Sequence, residues 1–463
     1  MKWIFFLLLA CSLCSAIMTR VNLTDTPDGE GALSNDGSTG IYYFKAGSKA
    51  NSTKWTIHFM GGGFCMSDEE CLWRSKTLVG SSNFWPPEVD FDWVAPVCED
   101  KEFNPDFYDW NHVFLPYCDG AFFSGDRDEP VIVDSTPVYY RGHRILVAAF
   151  KDLLKTKGLD KATDVLISGD SAGAMATYYH ADEIKSMLPS TTRFKMAPFS
   201  GIFLDRPNAE GKVFFRDLFK HVSEMQNCTH TLNAKCLEAY PGNESYKCFF
   251  AEYSMEYTET PILAINSPYD MVAMRCIVMG EPLVGPSTSG VGNCSAIPGW
   301  EECSNLTCTT EQWNKMEEYA DAFRSIVQNS PKLTSDGNGL FEYSCFSHAV
   351  EPYDPYWKRY AVDGVVLRDA VRDWFFSDND PSSEHFYEDC NNTQTTSCNP
   401  SCEDPSSSES SYSSQASYSS QSSFESSTDS SSRRPVRSSE STAAYVHPMM
   451  SILAAILLAV LFF

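Results

Sequence analysis

The sequence predicts an α/β fold in which a mostly parallel sheet is flanked by helices. Three observations carry this. Apolar runs at Trp55–Met60, Asp164–Ser168 and Pro261–Ile265 each end in a glycine-rich or polar loop. Helical patterns alternate with them, at Arg144–Leu154 and Ala174–Leu188. No low-complexity break interrupts residues 21–389. Short apolar strands separated by helices pair in parallel, and sites on such sheets lie beyond the strands' carboxyl ends. All three loops occupy that position: Gly61-Gly62-Gly63 after the first strand, Gly169-Asp170-Ser171 after the second, and Asn266 to Asp270 after the third.

The two ends of the chain read as processing segments. Met1-Lys2, an apolar run from Trp3 to Ala10 and small residues up to Ala16 predict a secretory signal over residues 1–16. Residues 401–441 contain 21 serines in 41 positions, a composition that cannot bury enough apolar surface to order itself, so a disordered stalk is expected. Residues 442–463 form a short spacer and an apolar tail that ends the sequence, the pattern of a glycolipid-anchor signal, with Ser439 or Ser441 as the attachment point; a retained tail helix is the alternative. The expected location is therefore the cell exterior, with membrane contact only through that C-terminal lipid. Export gives meaning to seven Asn-x-Ser/Thr triplets, at Asn22, Asn51, Asn227, Asn243, Asn293, Asn305 and Asn391, as glycosylation acceptors.

Charge and cysteine usage narrow the function class. With 35 Lys and Arg against 61 Asp and Glu, the formal charge is −26. A chain this acidic, without a basic run, repels phosphate backbones, so nucleic acid is excluded as a partner. Seventeen cysteines point to an oxidising compartment. Two of them, Cys11 and Cys14, leave with the signal, and the odd remainder requires at least one thiol that is free or pairs outside the chain. Cys294, Cys303 and Cys308 have no histidine nearby in sequence and lie near glycosylation triplets, so disulfides are expected there rather than a metal.

Chemistry enters at Gly169-Asp170-Ser171-Ala172-Gly173, a G-x-S-x-G string between a strand and a helix. A sharp turn there exposes the serine oxygen of an α/β-hydrolase-like fold, and the glycines avoid collision; a helix N-cap is the alternative role for Ser171. Serine needs a base, and the fold's order is serine, acid, histidine. Among the later histidines, His180 falls on the helix leaving the turn, His221 and His230 in a polar insertion, His385 at the exit and His447 in the tail. His348 is the best remaining base. Asp270, after an apolar run halted by Pro268, is the expected acid, with Asp205 the runner-up. Ala172 would supply one backbone N–H to an oxyanion and the Gly61–Gly63 loop the others. No Gly-Lys-Ser/Thr follows, so a phosphate loop is not favoured. No metal or organic cofactor is expected.

Seven segments in order carry a family resemblance: Asp36–Ser38, Gly61–Cys65, Tyr117–Ala121 with Ser124–Asp126, Arg141–Arg144, Gly169–Gly173, Asn266–Asp270 and Ser344–His348. The chain resembles the pectin acetylesterase and Notum family of secreted carboxylesterases, and the Tyr-Cys-Asp-Gly-Ala segment is similar to the plant-type members. The resemblance implies a catalytic set of Ser171, Asp270 and His348, an oxyanion hole from Gly62, Gly63 and Ala172, and a Cys65–Cys71 disulfide. It implies removal of acetyl groups from a pectin-like polysaccharide or another ester; a Notum-like deacylase of lipidated protein and a non-catalytic surface protein on the same scaffold are the alternatives. Met60 and Phe64 replace the family's usual Glu and Trp, and Ser34 and Ala349 stand where relatives often have cysteine.

Overall fold

The computed structural model describes residues 17–282, 294–303, 307–377, 385–390 and 398–402. The signal, Asn293, Asn305, Asn391, Ser439, Ser441, the tail and all of the stalk after Cys402 lie outside the described residues. A ten-stranded sheet organises the rest. Its strands are β1 (Ile17–Asn22), β2 (Ile41–Lys45), β3 (Lys54–Phe59), β4 (Glu88–Asp90), β5 (Asn111–Leu115), β6 (Asp164–Asp170), β7 (Arg193–Phe199), β8 (Leu263–Asn266), β9 (Gly339–Glu342) and β10 (Phe386–Tyr387), in the spatial order β10-β9-β8-β7-β6-β3-β5-β2-β1-β4. From β10 across to β5 every pairing is parallel, while β2, β1 and β4 add antiparallel strands at one edge.

The central strands are buried on both faces, as a covered parallel sheet requires: Ile57, Val165, Ile167 and Met196 on one side and Leu166, Phe199 and Ile265 on the other are all buried. The covering helices include α1 (Asp68–Arg74), α2 (Gly142–Asp152), α3 (Ala172–Met187), α4 (Phe214–Met225), α5 (Thr310–Gln328) and α6 (Leu367–Phe376). Helix α3 leaves β6 directly and is buried along most of its length, including Ala174, Tyr178, His180 and Ile184, because it packs against the strands it follows. The predicted helices match α2 and α3 within two residues, and the three predicted strands match β3, β6 and β8 to the same margin.

The folded body is wider than the sequence indicated. It starts at Ile17 rather than Val21, because Ile17–Asn22 forms one continuous strand pairing β2 on one side and β4 on the other. It extends past Asp389 to Cys402, which is disulfide-bonded to Cys345, so Ser401 and Cys402 belong to the body and not to the serine-rich stretch. Six disulfides are present among the described residues. Cys65–Cys71 is formed, with Cα atoms 5.2 Å apart, and Cys276–Cys294 and Cys303–Cys308 account for the cysteines expected to be bridged. Cys236–Cys248 and Cys390–Cys398 complete the set. Cys98, Cys118 and Cys228 are free and buried; burial pushes the Cys118 thiol up to about 12, and that thiol donates to the Leu78 carbonyl at 3.8 Å. Among the acceptor asparagines, Asn51, Asn227 and Asn243 are exposed, while Asn22 is half-buried and bonded to Arg20 and Asp25. No described helix is long and apolar enough to cross a membrane.

Candidate active site

The loops after β3, β6, β8 and β9 converge at the carboxyl edge of the parallel strands. Ser171 follows β6 in a left-handed backbone conformation, φ 52° and ψ −117°. A non-glycine residue held there costs about 1–3 kcal/mol, a cost the surrounding structure must offset. The flanking glycines are required by contact: a Cβ on Gly173 would lie 2.0 Å from the Phe59 carbonyl oxygen, and one on Gly169 would lie 2.4 Å from the Gly173 backbone. Although Ser171 precedes α3, its side chain makes no capping hydrogen bond. The hydroxyl is directed to His348 instead.

His348 Nε2 lies 2.8 Å from Ser171 Oγ, and His348 Nδ1 lies 2.7 Å from Asp270 Oδ2. The other carboxylate oxygen of Asp270 accepts from the amides of Val272 and Ala273 at 2.9 and 3.0 Å. Asp270 and His348 are buried, and Ser171 is only 8% exposed. Burial opposes charging His348, but the Asp270 carboxylate, its hydrogen bond, and the nearby Glu351 and Asp170 outweigh it and hold the imidazole above its ordinary value. The structure thus joins the three residues selected from sequence order. Asp205 is not joined to them; it pairs with Arg216 at 2.7 Å.

Gly63 and Ala172 line a small apolar cavity beside Ser171, with Phe64, Phe122, Phe203, Phe215, Phe219 and Met175 among its walls. Gly62, with φ 140°, lies in the same loop and backs onto Tyr117 and Val79. The cavity holds about 20 Å³, where a single water needs about 10–15 Å³. The Cys65–Cys71 bridge closes the far side of this loop, and the Cys65 amide is anchored on the Gly120 carbonyl at 3.1 Å.

Sequence reasoning missed the group that holds the glycine loop against the serine turn. Asp170 Oδ1 accepts from the Gly61 amide at 3.1 Å and from His58 Nε2 at 3.0 Å. His58 Nδ1 in turn meets the Ser168 hydroxyl at 2.9 Å, and the Tyr353 hydroxyl faces Asp170. All four side chains are buried or nearly so. The signal was present as register: His58 lies opposite Ser168 across the parallel β3–β6 pair, and Asp170 follows two residues later on the same face. A second buried acid, Glu351, takes hydrogen bonds from Ser200 and Tyr343, and Ser200 accepts the Ala349 amide next to His348. Burial pushes the Glu351 carboxyl up to about 7.

A family model described as pectinacetylesterase matches residues 14–403. The chain belongs to the pectinacetylesterase family. Among its relatives, pectin acetylesterase 11 of Arabidopsis thaliana is 29% identical over 406 residues, covering 86% of this chain and 96% of the relative. Pectin acetylesterase 4 of the same plant is 33% identical over 365 residues, 78% of this chain and 84% of its own. The palmitoleoyl-protein carboxylesterase Notum of Drosophila melanogaster is 25% identical over 370 residues, 78% of this chain but 48% of the relative. A solved structure of the Wnt deacylase Notum from Drosophila superposes with a TM-score of 0.66 at 23% identity, covering 83% of this chain and 99% of that one, which establishes the shared α/β-hydrolase-like fold. The family's members are carboxylic ester hydrolases, and the chain is one of them.

Proposed function

We propose that the protein is a secreted, surface-anchored serine carboxylesterase that removes acetyl groups from a polysaccharide. In this reading Ser171 attacks the acyl carbonyl while His348 takes its proton, and Asp270 orients the imidazole and stabilises its charged form. The developing oxyanion meets the N–H groups of Gly62, Gly63 and Ala172. His348 then returns the proton to the leaving sugar alcohol, and a water activated by the same imidazole releases acetate and restores Ser171.

The observation that carries the acyl preference is the cavity beside Ser171. About 20 Å³ between phenylalanines suits a methyl group better than a long hydrocarbon chain. The six disulfides suit an oxidising compartment and support the secreted reading; the C-terminal lipid anchor rests on the sequence of the tail alone. An aryl-ester series of rising acyl length, run on the wild type and Ser171→Ala, tests the proposal, followed by acetate release from acetylated pectin. Highest kcat/KM on the acetyl ester and no turnover by the variant are expected. Equal activity of Ser171→Ala would remove the nucleophile assignment, and a maximum at long acyl chains would favour a deacylase of lipidated protein.

A further inference from the structure

A second cluster of chemistry-bearing side chains lies on the far part of helix α3. His180 and Glu183 are three residues apart and therefore share a helix face. His143, from the first turn of α2, reaches the same point, its Nε2 at 3.0 and 3.1 Å from the two Glu183 oxygens. His180 Nδ1 lies 3.8 Å from Glu183 Oε2. One ligating atom from each residue falls within 4.8 Å of the others.

An ordinary ion pair accounts for His143 and Glu183 but leaves His180 unexplained. Its ring is fully buried, and Nε2 is taken by the Ser124 hydroxyl at 3.0 Å. With that hydroxyl donating to the Phe122 carbonyl, 3.2 Å away, it accepts from Nε2–H. His180 Nδ1 is thereby a bare lone pair with no hydrogen-bond partner, directed toward a carboxylate. Two lone pairs facing each other repel, and a cation between them removes the repulsion.

We propose that His143, His180 and Glu183 form a binding site for a divalent transition-metal ion of the Zn²⁺ type. Two imidazoles and one carboxylate are a donor set that this class of ion accepts, with water completing the shell. Ligand atoms at about 2.0–2.1 Å from a tetrahedral ion stand about 3.3 Å apart, and the observed separations of 3.0 and 3.8 Å bracket that value. The Nε2–Ser124 bond fixes the His180 tautomer that offers Nδ1, the outer-shell support such ligands usually have. An open cavity of about 360 Å³, lined by His143, Glu183, Asp182 and His230, gives the ion access and room for water. The other His/Cys/acid grouping among the described residues, Asp389 with Cys390 and Cys398, has its sulfurs committed to a disulfide. The site lies nine residues along α3 from Ser171, about 13 Å at the helical rise. It therefore clamps α2 to α3 and takes no part in the ester chemistry.

The test uses the untagged mature chain, stripped with a chelator, dialysed and titrated calorimetrically with ZnCl₂. One equivalent should bind with Kd below 100 μM, raise the thermal midpoint, and be weakened at least tenfold in both Glu183→Gln and His143→Ala. His180→Ala hollows the core and is less informative, whereas these two side chains stand at the cavity edge. Ser171-dependent hydrolysis of an aryl acetate should be unchanged in both variants. Binding weaker than 100 μM, or affinity that survives either substitution, would overturn the site.

Discussion

Asp270→Asn separates orientation of the base from simple loss of a charge. Asp270 Oδ1 accepts two backbone amides, from Val272 and Ala273, and only oxygen can fill that position. In the variant the amide oxygen must stay there, so the NH₂ group faces His348 Nδ1, where Oδ2 had been at 2.7 Å. A donor opposite Nδ1 makes Nδ1 the acceptor and places the ring proton on Nε2. Nε2 is then unable to take the proton of Ser171, 2.8 Å away. Loss of the working tautomer lowers kcat by about 10⁴, about 5 kcal/mol of transition-state stabilisation. The variant should fold normally, since both backbone hydrogen bonds persist. The assay is pre-steady-state and steady-state hydrolysis of an aryl acetate, with near-ultraviolet circular dichroism as a folding control. A folded variant that keeps more than a tenth of wild-type kcat would refute this account of the acid. Asp205→Asn is the matched control: it breaks the Arg216 pair and should lower stability while leaving kcat within about threefold.

The acid limb of kcat/KM should lie above pH 6.5, because the working base is neutral His348 and its charged form is favoured by Asp270; activity rises as pH passes the raised value, and a limb below 6.5 would contradict it. Gly61→Ala puts a Cβ 2.4 Å from Asp170 Oδ2 and 2.6 Å from its carbonyl oxygen, so the glycine loop must shift; kcat should fall by about 10²–10³ with the fold intact by circular dichroism. Phe215→Ala opens the cavity wall, should cost about 3–5 kcal/mol in denaturant unfolding, and should raise kcat/KM for an octanoyl ester relative to the acetyl ester by about tenfold, about 1.4 kcal/mol. Glu351 binds a proton more tightly folded than unfolded, so it adds stability at low pH that is lost as pH rises from 4.5 through about 7. Glu351→Gln should remove that decline, at most about 3 kcal/mol, in unfolding curves measured at pH 5 and pH 8.

Ser171 and Asp270 were legible because chemistry demands such residues and each falls at the end of an apolar run, β6 and β8, whereas His348 was reached by setting the other later histidines aside. Those central strands announce themselves, since a strand buried on both faces reads as a continuous apolar run. The edge strands do not. β1, β2 and β4 are partly exposed and stabilised by antiparallel partners that only the assembled sheet supplies. The Asp170–His58 link escaped for a related reason: its two residues are 112 apart in sequence and meet only through strand register. Local bridges such as Cys65–Cys71 can be read from spacing helped by a family resemblance, whereas Cys345–Cys402, 57 residues apart, carries no local trace.

That longest bridge also sets how the body bears a load. Tension applied to the chain beyond Cys402 passes through the sulfurs to Cys345 and then into β9, which is hydrogen-bonded to β8 on one side and β10 on the other. The loop between the two cysteines, which contains His348, is bypassed. A pull that would otherwise unravel the exit segment and drag the imidazole from Ser171 is carried by the sheet instead. Reduction of this one bond would put His348 in series with any load on the chain beyond Cys402.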